Sequence, residues 1–242
     1  MNGTFFSPDG NKIDKSTFLR TYSNAYFLEN PRVLPRVSQS SPWIEEQIEY
    51  ILTNGITCKA DVMHLLAWKI GKVNHRKSQE RKRWVYAADW ENAESGIVAR
   101  YGRTLDLTSY AENIVYKYDE LCKMSQTDAA DVLRALEPKT LKGIGSVYLL
   151  TLLYAVSKKR WPIYDKFAAK ALAAIDSGKK PYEVTYRELP DRTQGMDKVF
   201  EEYRKYVDLL ERYFPDHAKC RDIDRALWVY GHMKGICKEE TK

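Results

Sequence analysis

The chain has 242 residues, 44% of them hydrophobic, so it is long enough for one large domain or two small ones. No apolar run is long enough to cross a bilayer, and the first residues, MNGTFFSPDGNK, lack the apolar region of a signal peptide. The four cysteines contain no C-x-x-C pair and the four histidines have no metal-ligand spacing. We therefore expect a soluble cytoplasmic protein that holds no metal and does not associate with membranes.

The net charge of +6 is concentrated in one segment, KIGKVNHRKSQERKR at residues 69–83, which we call the basic block. Seven of its residues are Lys or Arg and one is Glu. Such a cluster is a candidate surface for phosphate groups, with Lys72, Arg76, Lys77 and Arg81 as the candidate contacts. A solvated loop would have the same composition, and both interpretations remain open.

In chain order, the first ~40 residues are predicted to be an extended arm with short helices, because prolines and serines interrupt them. Helical periodicity begins at Trp43. The predicted helices are Glu45 to Leu52, Ala60 to Ile70, Asp106 to Lys123, a short helix that Thr127 or Asp128 caps and that runs through Leu136, Val147 to Val156, Lys166 to Ile175, Met196 to Phe214, and Asp222 to His232. No strand pairs and no repeats are recognised, so the predicted fold is all-α.

Two of these helices have distinctive patterns of apolar residues. The helix from Val147 to Val156 is apolar on nearly every side, which is typical of a helix buried inside a domain. The helix from Met196 has an apolar stripe on one side, and this stripe is predicted to face the core. Its members are Val199, Tyr203, Tyr206, Val207 and Leu210.

The stretch LKGIGSVYLLTLLYAVSKKRWPIYD combines a glycine turn, the apolar helix and an aspartate. Gly143 and Gly145 enclose Ile144 in a turn that we predict to disfavour residues with a Cβ. Ser146 then begins the helix, whose first backbone N–H groups can receive an anion such as phosphate. Asp165 follows Gly145 after twenty residues, directly behind the W-P-I-Y sequence.

Together these residues resemble the helix-hairpin-helix signature of base-excision DNA glycosylases, the HhH-GPD superfamily. The family pattern is L-P-G-[VI]-G, an apolar helix and a [FVW]-P-[IV]-x-D ending; this chain has L-K-G-I-G and W-P-I-Y-D. The strong resemblance covers about 35 residues. It implies one glycosylase-like domain over 1–242 in two helical subdomains with a DNA-binding cleft between them. One subdomain would span 45–160, with the hairpin at 128–157, and the other 1–44 plus 161–242.

The resemblance also implies roles for single residues. Asp165 would be the catalytic carboxylate, which stabilises positive charge on the sugar and orients or deprotonates water. Its other interpretation, a helix cap, is compatible with that role. The candidate DNA contacts are Lys142, Gly143, Ile144, Gly145 and Ser146. The first candidates for a base pocket are Tyr148 and Tyr164, and the further aromatic candidates are Trp43, Trp68, Trp84 and Trp90.

Departures from the family pattern narrow the expected activity. Val147 stands where bifunctional members have a Schiff-base lysine, so strand cleavage by that route is closed. The four-cysteine iron–sulfur loop of some relatives is missing, so no cofactor is expected. Lys142 replaces the usual hairpin proline, and Leu149 replaces a small residue. The expectation is a monomeric, water-using DNA glycosylase; the alternatives are an inactive DNA-binding relative and a helical protein-interaction domain.

Overall fold

The computed structural model describes residues 3–27, 41–100, 102–138, 144–186, 188–216 and 220–233. Over these residues the chain is mostly helical, which confirms the predicted class at that level. The helices are α1 (Lys15–Ala25), α2 (Pro42–Asn54), α3 (Lys59–Lys69), α4 (His75–Arg81), α5 (Thr108–Tyr116), α6 (Tyr118–Met124), α7 (Ala129–Leu136), α8 (Ser146–Val156), α9 (Lys166–Ser177), α10 (Met196–Tyr213) and α11 (Arg221–Gly231). The strands are β1 (Phe5–Phe6), β2 (Lys12–Ile13), β3 (Ile97–Arg100) and β4 (Arg103–Asp106).

The chain divides into two compact units, and each is formed from separate stretches of sequence. The first unit contains the described residues of 1–39, 165–188 and 206–242, and the second unit contains those of 40–164 and 189–205. The cleft that the family resemblance implies between two subdomains stays a prediction. No helix in the described ranges is both long enough and apolar enough to cross a membrane.

The first unit is built around a cluster of aromatic rings. Phe18, on α1, lies 5.0 Å from Tyr22 and 5.1 Å from Tyr230 of α11, measured between ring centroids. Phe5 of β1 lies 5.0 Å from Phe18 and 5.9 Å from Phe214. All five side chains are buried, and contacts of this geometry stabilise a core beyond the area that they bury. This cluster joins the β1–β2 hairpin to α1 and α11.

The core of the second unit includes α8, which is buried at every position except Val147. Asp128 caps α7, because its carboxylate accepts the N–H groups of Ala130 (2.7 Å) and Asp131 (3.2 Å). Of the two predicted caps, Thr127 and Asp128, the structure therefore has Asp128. The stripe predicted for α10 is confirmed, since all five of its apolar side chains are buried.

Three features differ from the sequence predictions. The antiparallel pairs β1–β2 and β3–β4 form where no strand pairing was expected. The turn of the second pair has Gly102 at a φ of +72°, a backbone conformation that favours glycine. The single helix predicted over 106–123 is two helices that meet at Lys117, where the backbone leaves the helical region (φ −94°, ψ 7°). The basic block contains α4, so it is in part helical.

Candidate functional site

Asp165 lies at the N-terminus of α9, in the first unit. Its carboxylate Oδ1 accepts the backbone N–H of Phe167 at 2.8 Å, and its own backbone is extended (φ −141°). This geometry confirms the predicted helix cap. The side chain is partly exposed, so one carboxylate is fixed at a helix N-terminus within reach of solvent.

His232 belongs to the surroundings of Asp165, although the histidines carried no recognisable pattern in the sequence. Its ring stacks on Phe167, with ring centroids 3.3 Å apart, and its Nδ1 lies 2.7 Å from the carbonyl oxygen of Trp228. Because that oxygen only accepts, Nδ1 carries the proton and Nε2 of the neutral ring is an acceptor. Burial lowers the pKa of His232, against the opposing effects of the Trp228 carbonyl and the Asp165 carboxylate.

The last residue of α11 allows this close packing. A Cβ on Gly231 would lie 2.5 Å from the carbonyl carbon of Phe167 and closer still to the carbonyl oxygen. Only a glycine therefore permits α11 to approach the first turn of α9 so closely. The backbone of Phe167 is thus held by Asp165 at its N–H and bordered by Gly231 at its carbonyl.

The start of α8 belongs to the second unit, and the backbone conformation of Gly145 there differs from the prediction. Gly145 is the N-cap residue with a φ of −90° and a ψ of 172°, which any residue can adopt. A Cβ built on it would have no described atom within 4 Å apart from its chain neighbours. The prediction that the turn disfavours a residue with a Cβ is therefore wrong at Gly145. A substituent of one carbon there would therefore contact no other described residue.

The other predicted hairpin residues have varied surroundings. Ile144 is only 1% exposed, so its side chain anchors the start of α8 in the core. Ser146 is buried, and its hydroxyl donates to the carbonyl oxygen of Pro190 at 2.7 Å. Any contact of these two residues with a ligand would therefore use backbone groups. Lys142 and Gly143 lie outside the described residues.

The predicted base-pocket tyrosines are both interior residues of the second unit. Tyr148 is 5% exposed and Tyr164 is 2% exposed. Trp68 and Trp90 are buried as well. Trp43 and Trp84, by contrast, are only partly buried, and both line an open groove of about 920 Å³ in the second unit. A base pocket at Tyr148 and Tyr164 stays a prediction.

We call this depression the aromatic groove, and it is lined by 14 residues: Trp43, Gln47, Asn74, Lys77, Arg81, Lys82, Arg83, Trp84, Val85, Tyr86, Ala87, Ala88, Glu91 and Glu94. Backbone pairing fixes the segment that contains Trp84 and Tyr86. Val73 and Tyr86 form an antiparallel bridge, and the N–H of Asn74 donates to the carbonyl of Val85 at 2.7 Å. Residues two apart in an extended segment point to the same face, so both rings belong to one surface.

The rings of the aromatic groove form a stack on His64 of α3. The His64 and Trp84 rings are nearly parallel, at 9°, with centroids 4.0 Å apart. Tyr86 is also nearly parallel to both, at 6.2 Å from His64 and 6.4 Å from Trp84. Trp43 meets Trp84 edge-on at 5.7 Å. Burial lowers the pKa of His64 despite Glu94 at 3.5 Å, so the ring behind Trp84 is neutral near pH 7.

The basic block contributes its second half to this groove. Lys77 and Arg81 line it together with Lys82 and Arg83, and all four side chains are exposed. The other two predicted phosphate contacts have acidic partners, since Lys72 pairs with Asp89 and Arg76 pairs with Glu80 at 3.0 Å. Neither Tyr86 nor a role for His64 was predicted from the sequence. The alternation W-V-Y directly after the basic block was the available signal for Tyr86.

Among the described residues, no group of three or more His, Cys, Asp and Glu side chains is arranged so that it could hold a metal ion. Comparison of the chain with protein-family models gives no match, and comparisons with curated proteins and with solved structures give no significant match either.

Proposed function

We propose that this chain is a monofunctional DNA glycosylase that hydrolyses the N-glycosidic bond of a damaged or mismatched base. The observation that carries the proposal is Asp165: a partly exposed carboxylate, fixed by the Phe167 N–H at the start of α9, directly after W-P-I-Y. Departure of the base builds positive charge on the sugar, and a fixed carboxylate stabilises that charge. The base leaves with the bonding electrons. Water then bonds to the sugar carbon and gives its proton to the Asp165 carboxylate, from which the proton passes to the released base.

The start of α8 supports a contact between its backbone and DNA. Gly145 has a backbone conformation that any residue can adopt, and apart from its chain neighbours no described atom lies within 4 Å of where a Cβ would be. A glycine at such a position lets an external group come close to the backbone. The first N–H groups of α8 and its dipole favour an anion there, which in DNA is a backbone phosphate. Phosphate contacts of this kind position a strand without reading its sequence.

Val147 limits the chemistry to hydrolysis. A valine has no amine with which to form an imine on the opened sugar, so the lyase route at this position is closed. Cleavage of the strand would therefore require a separate alkaline treatment of the abasic product.

The test of this proposal is Asp165→Asn, because asparagine is as good an N-cap as aspartate but carries no charge. We expect base release to fall about a hundredfold or more, while binding to duplex DNA changes less than about twofold. The matched control is Asp128→Asn at the cap of α7, which should retain full activity. Undiminished base release by Asp165→Asn would contradict the assigned role.

The second candidate is an inactive DNA-binding relative, and the cations of the aromatic groove are the observation that favours it. That function predicts salt-sensitive DNA binding with no base release from any lesion.

A further inference from the structure

The aromatic groove combines two features that a nucleic acid strand requires, and neither involves Asp165 or the start of α8. One feature is a set of stacked rings, Trp84 and Tyr86, with Trp43 edge-on. The other is a group of four exposed cations from the basic block. Proteins that bind single strands use this combination, because bases stack on the rings and phosphates contact the cations.

The rings form a surface whose parts are fixed before any ligand arrives. The His64 ring lies parallel to Trp84 at 4.0 Å, and its burial keeps it uncharged near pH 7. The backbone bridge from Val73 holds Tyr86 on the same face as Trp84. A platform held in this way loses little conformational entropy when a base stacks on it.

The distribution of charge favours a strand over a single phosphate. Lys77 and Arg81 are one turn apart on α4, and neighbours at this spacing are about 5–6 Å apart at Cβ. Lys82 and Arg83 also line the groove, so its lining contains four cations and two carboxylates, Glu91 and Glu94. The excess of positive charge matches a backbone that carries one charge for each nucleotide.

We propose that the aromatic groove binds an unpaired stretch of single-stranded DNA, with bases stacked at Trp84 and Tyr86 and phosphates at Lys77 and Arg81. This site is additional to the one at Asp165 and goes beyond the proposed function. Undamaged single strands are ligands for it, so its test requires no base release.

The test measures the affinity of the full chain for a labelled oligothymidine of about ten nucleotides, a length within the usual site sizes for such proteins. We expect Trp84→Ala to weaken binding roughly tenfold or more, and Trp84→Phe to retain binding within about threefold, because phenylalanine keeps a stacking face. Equal affinity of folded Trp84→Ala and the unaltered chain would overturn the proposal. Far-UV circular dichroism establishes that each variant is folded.

A second pair of variants distinguishes binding in the aromatic groove from binding to any positively charged surface. Arg81→Ala and Arg76→Ala each remove one exposed cation from α4, but only Arg81 lines the groove. We expect Arg81→Ala to weaken binding and to reduce the slope of log affinity against log salt by about 0.7, with Arg76→Ala close to the unaltered chain. Equal losses would mean a diffuse basic surface and would refute the site. If Trp84→Ala does not fold, this pair of variants still tests the proposed site.

Competition distinguishes a strand from a free nucleotide. We expect thymidine monophosphate to displace the oligonucleotide only at a far higher concentration than unlabelled oligonucleotide. Equal potency would overturn the assignment to a strand. Asp165→Asn should bind the oligonucleotide as tightly as the unaltered chain, whatever its effect on base release, so the outcome for the groove is independent of the outcome for Asp165. Loss of oligonucleotide binding by folded Asp165→Asn would overturn the assignment to a separate site.

Discussion

Gly231→Ala tests the close approach of α11 to the first turn of α9, on which the position of Asp165 depends. The added Cβ would lie 2.5 Å from the carbonyl carbon of Phe167 and closer still to its carbonyl oxygen, whereas ordinary contact begins at 3.4 Å, so the helices would have to separate by at least about 0.9 Å. The obstacle is backbone, which no rotamer change removes. Overpacking of this kind lowers the free energy of unfolding by about 1–3 kcal/mol. The higher helix propensity of alanine relative to glycine raises it by less than about 1 kcal/mol.

We therefore expect the free energy of unfolding to fall by about 2 kcal/mol, which lowers the midpoint of thermal unfolding by about 4–8 °C in a chain of this size. Circular dichroism during heating measures the midpoint. The contrasting glycine is Gly145, where an added Cβ has no described atom within 4 Å apart from its chain neighbours, φ is −90°, and serine is the better N-cap. Gly145→Ser should unfold at or slightly above the original temperature. An unchanged midpoint for Gly231→Ala would refute the close approach of α11 to Phe167.

The remaining predictions concern the start of α8 and the buried histidines. Gly145→Ser, although stable, should weaken binding to duplex DNA several-fold, because its side chain occupies the space that a phosphate would need; unchanged affinity in a filter-binding assay would argue against that contact. Burial lowers the folded-state pKa values of His64, His75 and His232 below the usual 6.5, against the carboxylates of Glu94, Glu45 and Asp165 respectively. As the pH falls, these histidines therefore bind protons in the unfolded chain before they do so in the folded chain. The stability that the neutral histidines give to the folded chain is complete above about pH 6.5 and is lost as the pH falls below that value. The urea midpoint should be lower at pH 5.5 than at pH 7.5, and a higher midpoint at pH 5.5 would contradict the assignment.

Regular packing explains which parts of the fold could be predicted. The stripe from Val199 to Leu210 repeats with helical period, so its burial followed from the sequence. The break between α5 and α6 at Lys117 could not be predicted, because the apolar face continues on both sides of it. The strands β3 and β4 have four residues each, which is too few for a clear alternation.

The candidate sites also differ in how far the sequence predicts them. The cap at Asp165 depends on residues next to it in the sequence, so it could be predicted. The aromatic groove depends on pairing between Val73 and Tyr86 and on the stacking of Trp84 on His64, residues that are distant in the sequence. Composition identified the basic block. It does not predict that Arg81 lines the groove while Arg76 pairs with Glu80. Such choices are decided by tertiary contacts.

Base release from duplexes that carry a panel of single lesions and mismatches tests the central claim most directly. The measurement separates free base from DNA and examines the strands before and after treatment with alkali. We predict that at least one duplex loses its base and that its strand breaks only after the alkali. No base release from any duplex would contradict glycosylase activity, and strand breaks before alkali would contradict the hydrolytic route that Val147 implies.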